Sequence, residues 1–273
     1  MRMDKAPVIS VVMPVYKEEP AILERAIKSI LNQIYNNFEL VIVLDNPQNE
    51  KAIGLINEYI IKDNRIKLIV NEENLGVAPT LNVGIKTAVG NYIARQDADD
   101  ESYPDRLEKQ MKVFNSDNSF DVVGTGIEYV DDTGKLLFQR LYKENPTNEF
   151  KRYNPVPHPS LLIKKITFEK QGYYCEDENV KYVEDYDLWL RWHLKGKKFH
   201  NINSILYKYY QNNQNIKSKN TKLQLKNTYK LKYRYRKQLQ FGFVDYLRIF
   251  GEMILSILPA KTITFLFYKL YKV

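Results

Sequence analysis

For the first 125 residues, apolar positions alternate between short continuous runs and helical spacings; after that the rhythm is lost. Val8-Ile9-Ser10-Val11-Val12-Met13 is a β-branched run that reads as a strand. Between Ala21 and Asn32, Ile22, Ala26 and Ile30, with Ile27 and Leu31, share one side of a helix. Phe38–Leu44 is continuously apolar, the mark of a strand covered on both faces. A helix through Leu55, Ile56, Tyr59 and Ile60 and a strand at Ile66–Val70 come next, then a helix over Thr80–Ala88 and a strand at Tyr92–Arg95. Repeats of this length predict an α/β fold over residues 1–125, with parallel strands and helices on both faces of the sheet. In such sheets ligands bind beyond the carboxyl ends of the strands.

The pattern beyond residue 125 is mixed. Asp121–Thr125 reads as one more strand, and Ile127–Val130 with Lys135–Arg140 predicts a hairpin around Asp131-Asp132-Thr133-Gly134. Three prolines within Asn154–Pro159 forbid a helix or a central strand there. A helix over Val183–Leu194 opens on Glu184-Asp185, where the helix dipole favours negative charge. Residues 211–230 are rich in Asn, Gln and Lys and read as a surface segment, mobile or helical. From Phe241 to Tyr271 the chain is apolar again, broken by Arg248, Glu252, Pro259, Lys261 and Lys269. Its longest uncharged stretches, Met253–Ala260 and Thr262–Tyr268, fall short of the ~20 residues that span a bilayer. The expected organisation is residues 1–125, residues 126–215 and an extension over residues 216–273.

Charge sharpens this division. Of the formal net +8, residues 201–273 carry +12, fourteen Lys/Arg against Asp245 and Glu252, which leaves −4 for the rest. A basic end implies an anionic surface, nucleic acid or phospholipid. Tyr229-Lys230-Leu231-Lys232-Tyr233-Arg234-Tyr235-Arg236-Lys237 interleaves aromatic and basic residues, which suits base stacking or headgroup contact. The broken apolar stretch after it favours an in-plane membrane anchor over nucleic acid. The alternative is a helix pair packed on the domain or on a second copy in a homodimer. Composition, 44% hydrophobic and 27% charged, is that of a globular protein. Cys175 is the one cysteine, which excludes a disulfide framework and any multi-thiolate metal site. No secretory signal is legible, so the expected compartment is cytoplasmic.

The sharpest chemical signal is Asp97-Ala98-Asp99-Asp100, directly after the strand Tyr92–Arg95. Carboxylates this dense repel, and a divalent cation with oxygen ligands, Mn²⁺ or Mg²⁺, compensates them and holds a diphosphate. The plainer alternative is an acidic turn feeding a helix at Pro104, with Asp100 as its cap.

Further motifs occur with it in a fixed order: the strand and turn Val8–Tyr16, Leu40–Asp45, Asn74–Ala78 with Leu81–Ile85, Ala94–Asp100 with Pro104–Leu107, and Tyr182–Trp189. Over residues 7–200 this series resembles the family 2 glycosyltransferases, inverting enzymes of GT-A fold. The resemblance implies a Rossmann-like mixed sheet with helices on both faces, followed here by a basic, amphipathic helical tail. It implies that Pro14 and Tyr16 floor the nucleotide site with Glu18 on its rim, and that Asp45 meets the uracil of a UDP-sugar. Asp97 and Asp99 match the D-x-D, Asp99 as metal ligand and Asp97 nearer the ribose, with Asn82 and Arg95 shaping the pocket. Asp185, beside Glu184, matches the general base. His158 and Trp189 are candidates for the acceptor side, although Trp189 and Trp192, three apart on one helix, also suit a core. Implied partners are a UDP-sugar, of galactose or an N-acetylhexosamine, and an undecaprenyl-diphosphate-linked saccharide of bacterial O-antigen, capsule or exopolysaccharide. The implied location is peripheral, on the inner face of the plasma membrane.

Two departures stand out. Asn46-Pro47-Gln48 replaces the common Asp-Gly-Ser, and Tyr207-Lys208-Tyr209-Tyr210-Gln211 lacks the family's late histidine, leaving the metal to Asp99, diphosphate and water. The rival readings are a metal-dependent nucleotidyltransferase, for which the turn after the first strand lacks glycine, and a basic-tailed nucleic-acid-binding protein.

Overall fold

The computed structural model describes residues 8–211 and 220–258. Four parallel strands form its first half, side by side in the order β3 (Ile66–Val70), β2 (Phe38–Leu44), β1 (Ile9–Val15) and β4 (Tyr92–Arg95). β2 is buried at every position and β1 at all but Pro14, so both read as runs instead of alternations. Helices α1 (Pro20–Leu31), α2 (Glu50–Lys62) and α3 (Val77–Thr87) make the crossovers. α1 starts with Pro20 in its first turn and buries Leu23, Ala26, Ile27 and Ile30, a stripe repeating every three to four residues.

The parallel pattern stops at β4. β8 (Leu162–Lys164) runs antiparallel between β4 and β6 (Val122–Val130), and β6 lies parallel to β9 (Phe199–Tyr210). β5 (Glu101–Ser102) and β7 (Leu136–Arg140) pair antiparallel with β9 and β6. The sheet is therefore mixed, as the resemblance implied. The expected strand at Asp121–Thr125 and the first hairpin arm are one strand, β6, whose register against β9 shifts on both sides of Gly126. The hairpin turn is as expected, Asp131 Oδ1 accepting the N–H groups of Thr133 and Lys135. At Gly124 a Cβ would sit 2.4 Å from Asn201 Oδ1 and 2.7 Å from Pro157, so glycine lets the proline-rich stretch lie against the sheet.

Helices α4 (Arg106–Ser116), α5 (Lys165–Gln171) and α6 (Glu184–Leu194) complete the domain. Alternate residues of β1 feed two cores, Val11 and Met13 one face of the sheet and Val12 the other. Trp189 and Trp192 belong to the second core, both fully buried and edge-on at 5.4 Å.

Two further helices follow, α7 (Thr221–Tyr235) and α8 (Phe243–Ile257); Leu231 of α7 and Leu239 of the connection between them enter this second core. The packing is also polar. Asn227 donates to the Lys181 carbonyl at 2.9 Å, Lys151 pairs with Asp245 at 3.2 Å, and buried Lys232 pairs with Glu252. α8 thus turns Asp245 and Glu252 inward and leaves Phe243, Leu247, Phe250 and Ile257 exposed. On α7, Lys222, Lys226, Lys230 and Arg234 form an exposed ridge at four-residue spacing. No described helix is long and apolar enough to cross a membrane. Residues 212–219 of the polar segment and residues 259–273 of the apolar end lie outside the described residues.

Candidate active site

The carboxyl ends of β1, β2 and β4 meet, because Asp45 N–H donates to the Val15 carbonyl at 2.7 Å and Gln96 N–H to the Val12 carbonyl at 3.2 Å. The chain leaving β4 keeps a two-residue alternation: Asp97 and Asp99 are half-buried and face outward, while Ala98 and Asp100 are buried. Beneath them Gln96 is fully buried and donates to the carbonyls of Asp97 and Asp100, and Asp97 N–H donates to the Tyr207 hydroxyl at 3.1 Å. Arg95 is buried and its guanidinium pairs with the Asp97 carboxylate. Arg25 holds the loop from the other side, donating to the Asp99 carbonyl at 2.8 Å.

Burial, followed by the charges of Asp97 and Glu18, pushes the Asp99 carboxyl up to about 7. Glu18 is fixed on that rim by accepting the Tyr16 N–H at 2.7 Å. Carboxylates crowded so that one resists ionisation are a donor set that a divalent cation suits. Among the described residues no group of three His, Cys, Asp or Glu is placed to hold a metal ion.

Three readings of single residues need correction. Asp100 does not cap α4; it is fully buried and accepts the Tyr210 N–H at 2.9 Å, and Asp105 takes the cap position. Burial and the neighbouring Asp99 push its carboxyl well above the usual range. Asn82 has its amide already committed and offers no free donor or acceptor pair to a nucleotide. Its amide is used at both ends by the Tyr174 backbone, at 2.9 and 3.1 Å, and by Glu176 at 2.8 Å, so it pins the segment 174–176. Trp189 has no exposed surface and offers no face to a sugar; it backs His158, with ring centres 6.0 Å apart.

Asp45 stands at the end of β2 as expected, 5% exposed. Its carboxylate accepts from Asn71 at 2.7 Å, from Leu75 N–H at 2.9 Å and from Gly76 N–H at 2.8 Å. Gly76 turns its N–H inward with φ +87 and ψ 174, a conformation open essentially to glycine alone. Asp45 thus fastens the loop ahead of α3, while Asn49 caps α2 by accepting the Ala52 N–H.

The second acidic group opens α6. Tyr182, at φ 67, reverses the chain so that Glu184 and Asp185 begin the helix. Asp185 accepts its Tyr186 N–H and the Asn154 amide, both at 2.7 Å. Burial and the adjacent Glu184 still push its carboxyl up to about 6. Burial raises Glu184 as well, and one of its oxygens is buried with no partner among the described residues. His158 Nε2 is 2.8 Å from the Tyr174 hydroxyl, and burial together with Arg95 pushes its pKa well down, so the imidazole is neutral. The Tyr174 hydroxyl lies within electrostatic reach of Arg95, Asp185, Glu184 and Asp97, members of both acidic groups and their cation. His158, Tyr182, Glu184 and Asp185 line a cavity of about 380 Å³.

Residues 10–166 match the family model described as Glycosyl transferase family 2, more than half of the chain. The chain belongs to glycosyl transferase family 2. This glycosyltransferase is 37% identical over 244 residues to an uncharacterized glycosyltransferase of Methanocaldococcus jannaschii, covering 88% of this chain and 83% of the relative. It is 36% identical to the O-antigen biosynthesis glycosyltransferase WbnJ of Escherichia coli (67% and 70% covered) and 30% identical to the amylovoran biosynthesis glycosyltransferase AmsE of Erwinia amylovora (95% and 98%). The fold matches that of S. aureus TarS 1-349 in complex with UDP-GlcNAc, with TM-score 0.65 and 19% identity over 82% of this chain and 65% of that one. The fold is GT-A, and the nucleotidyltransferase and nucleic-acid alternatives fall away.

Sequence reasoning missed several site residues of this glycosyltransferase. Asn154 lay in the proline-rich stretch, noted there only for its backbone. Tyr174 had no motif to mark it, Tyr182 opened the Tyr182–Trp189 motif without a role of its own, and Tyr207, noted for a missing histidine, supports Asp97 through its hydroxyl.

Proposed function

We propose that this glycosyltransferase inverts, uses a divalent metal, and moves a sugar from a UDP-sugar to a lipid-linked saccharide of a surface polysaccharide. The observation that carries the reading is the division of labour between two carboxylate groups: Asp97 and Asp99 crowded at the strand ends, and Asp185 held near neutrality beside a cavity. The names of WbnJ and AmsE support the polysaccharide class, and the TarS complex supports a UDP-sugar donor. Galactose and N-acetylhexosamine remain the donor sugars of this reading.

Pro14, Tyr16 and Glu18 border the donor site, and Asp45 keeps the loop beside it in place. Asp99 and Asp97 would hold Mn²⁺ or Mg²⁺, which when bound stabilises charge on a departing diphosphate. Asp185 accepts the proton of the acceptor hydroxyl as it attacks from the face opposite UDP, so an α-linked donor yields a β-linkage. A general base is most effective when its pKa lies near the working pH, and Asp185 at about 6 meets that condition. Neutral His158 is placed to accept or donate a hydrogen bond on the acceptor side. Peripheral attachment at the inner membrane face is supported by the exposed apolar side of α8 and the cationic ridge of α7.

Calorimetry with UDP tests the donor half. Wild-type protein should bind UDP in Mn²⁺ at least about tenfold more tightly than in EDTA, and Asp99→Ala should lose that difference, worth ~1.4 kcal/mol. Equal affinity with and without metal overturns the metal-dependent reading, and preference for GDP or dTDP overturns the donor.

A further inference from the structure

A second cavity, of about 890 Å³, opens on the same Asp185 carboxylate. Asn154 and Tyr182 line it with Asp185, and Arg140, Arg152, Arg248 and buried Lys232 line it together with the carboxylates of Glu149 and Glu252. The lysine charge is already committed, to Glu252 and the Arg152 carbonyl. The three guanidiniums are not comparably paired. Arg140, on the exposed strand β7, makes no salt bridge among the described residues and rests over the Tyr142 ring at 4.6 Å. Arg152 approaches Glu149 at 3.6 Å, but Glu149 is held by Lys143. Arg248 lies 3.6 Å from Asp245, which binds Lys151 more closely at 3.2 Å. The Arg152 and Arg248 side chains keep 45% and 44% of their surface exposed.

We propose that Arg140, Arg152 and Arg248 bind the diphosphate of a phosphorylated acceptor, delivering its sugar hydroxyl to Asp185. The proposal rests on Asp185 being the general base. Planar guanidinium forks match phosphate oxygens in pairs, and a wall shared by three of them suits two adjacent phosphates. The cavity has the size of a small-ligand site and admits a sugar with its diphosphate. Arg248 also stands on α8, whose outer side carries exposed Phe243, Leu247 and Phe250. A hydrocarbon chain attached to the diphosphate therefore has an apolar surface to follow out of the site.

The test is calorimetry on the full chain in EDTA, which keeps diphosphate from binding through metal at Asp97 and Asp99. The probes are farnesyl diphosphate, inorganic pyrophosphate and farnesol. Farnesyl diphosphate should bind saturably, and Arg140→Gln, Arg152→Gln and Arg248→Gln should each weaken it by about tenfold, the effect of one charge-assisted contact. Asp99→Ala should leave this binding unchanged, and the arginine variants should bind UDP in Mn²⁺ as wild type does. Pyrophosphate binding as tightly as farnesyl diphosphate assigns all recognition to the phosphates; weaker pyrophosphate binding adds the lipid chain. No saturable binding of either diphosphate, equal binding by all three variants, or farnesol binding as well as its diphosphate overturns the proposal. Arg140 makes no ion pair among the described residues and stands on the exposed strand β7, so its variant should fold and report cleanly. Diphosphate binding that persists where UDP binding fails would sink the donor assignment and leave this site standing.

Discussion

Asp97 and Asp99 follow directly from a buried parallel strand, whereas Asp185 depends on pieces drawn from much of the second half of the chain. In the first region, alternation in the chain leaving β4 aims both carboxylates outward; Arg95 and Gln96 hold them from adjacent positions, and Tyr207 and Arg25 add one contact each from farther along the chain. In the second, Asn154 comes from the proline-rich stretch, Tyr182 reverses the chain at positive φ, and Asn227 of α7 donates to the Lys181 carbonyl beside that reversal. The first acidic group stands at the carboxyl end of an interior strand, close to its sequence neighbours. The second is a tertiary assembly in which the C-terminal helices take part, so damage should spread differently from the two.

The largest effect expected is that of Asp185→Asn. Turnover should drop about 10²–10⁴-fold while UDP affinity in Mn²⁺ stays within about twofold. An equal fall in both, measured by steady-state kinetics and calorimetry, would break the division between the regions. In wild type the folded pKa of Asp185 is raised, so the carboxyl is neutral below about 6 and ionised above it. Turnover should therefore rise with pH through about 6, and this limb should vanish from the residual activity of the variant.

Leu231→Ala comes next. This side chain carries α7 into the core at 2% exposure, and its truncation should cost about 2–5 kcal/mol in urea unfolding. A loss under 1 kcal/mol would show that the helix pair is only loosely attached. Gly76→Ala acts on the donor region, forcing a side chain into the glycine-only conformation at φ +87 for about 1–3 kcal/mol. Chemical denaturation reads this directly, and no change would mean that the Asp45 loop relaxes without cost. Smallest is Phe250→Ser, on the exposed side of α8, expected within about 0.5 kcal/mol of wild type in stability. The same variant should bind less to phosphatidylglycerol vesicles in a sedimentation assay, and undiminished binding would remove α8 from the membrane reading.

Much of the first half was legible along the chain because its strands are buried on both faces and its helices carry a single apolar stripe. The ends of β1, β2 and β4, and with them Glu18, Asp45, Asp97 and Asp99, could be placed by counting from those patterns. Asn82 and Trp189 show where counting stops. Each lies on a helix beside the site, yet the Asn82 amide is consumed by the Tyr174 backbone and the Trp189 ring is wholly inside the core. Periodicity says which side of a helix is covered, not by what.

β6 shows the same limit in a strand. Gly126 interrupts its apolar pattern and made one strand read as two, although the backbone continues; the missing side chains admit Asn201 and Pro157 at Gly124 and Ile205 and Leu141 at Gly126. By itself the sequence determined the strand–helix order of the first half, the place of the D-x-D at a strand end, and the acidic opening of α6, because each depends on neighbours a few residues apart. Only the tertiary structure decided that Asn154 and Asp185 meet, that Tyr174 comes within electrostatic reach of both acidic groups, and that three arginines share one cavity. Those contacts join residues from 10 to more than 100 positions apart, brought together by packing on a mixed sheet that no local pattern specifies.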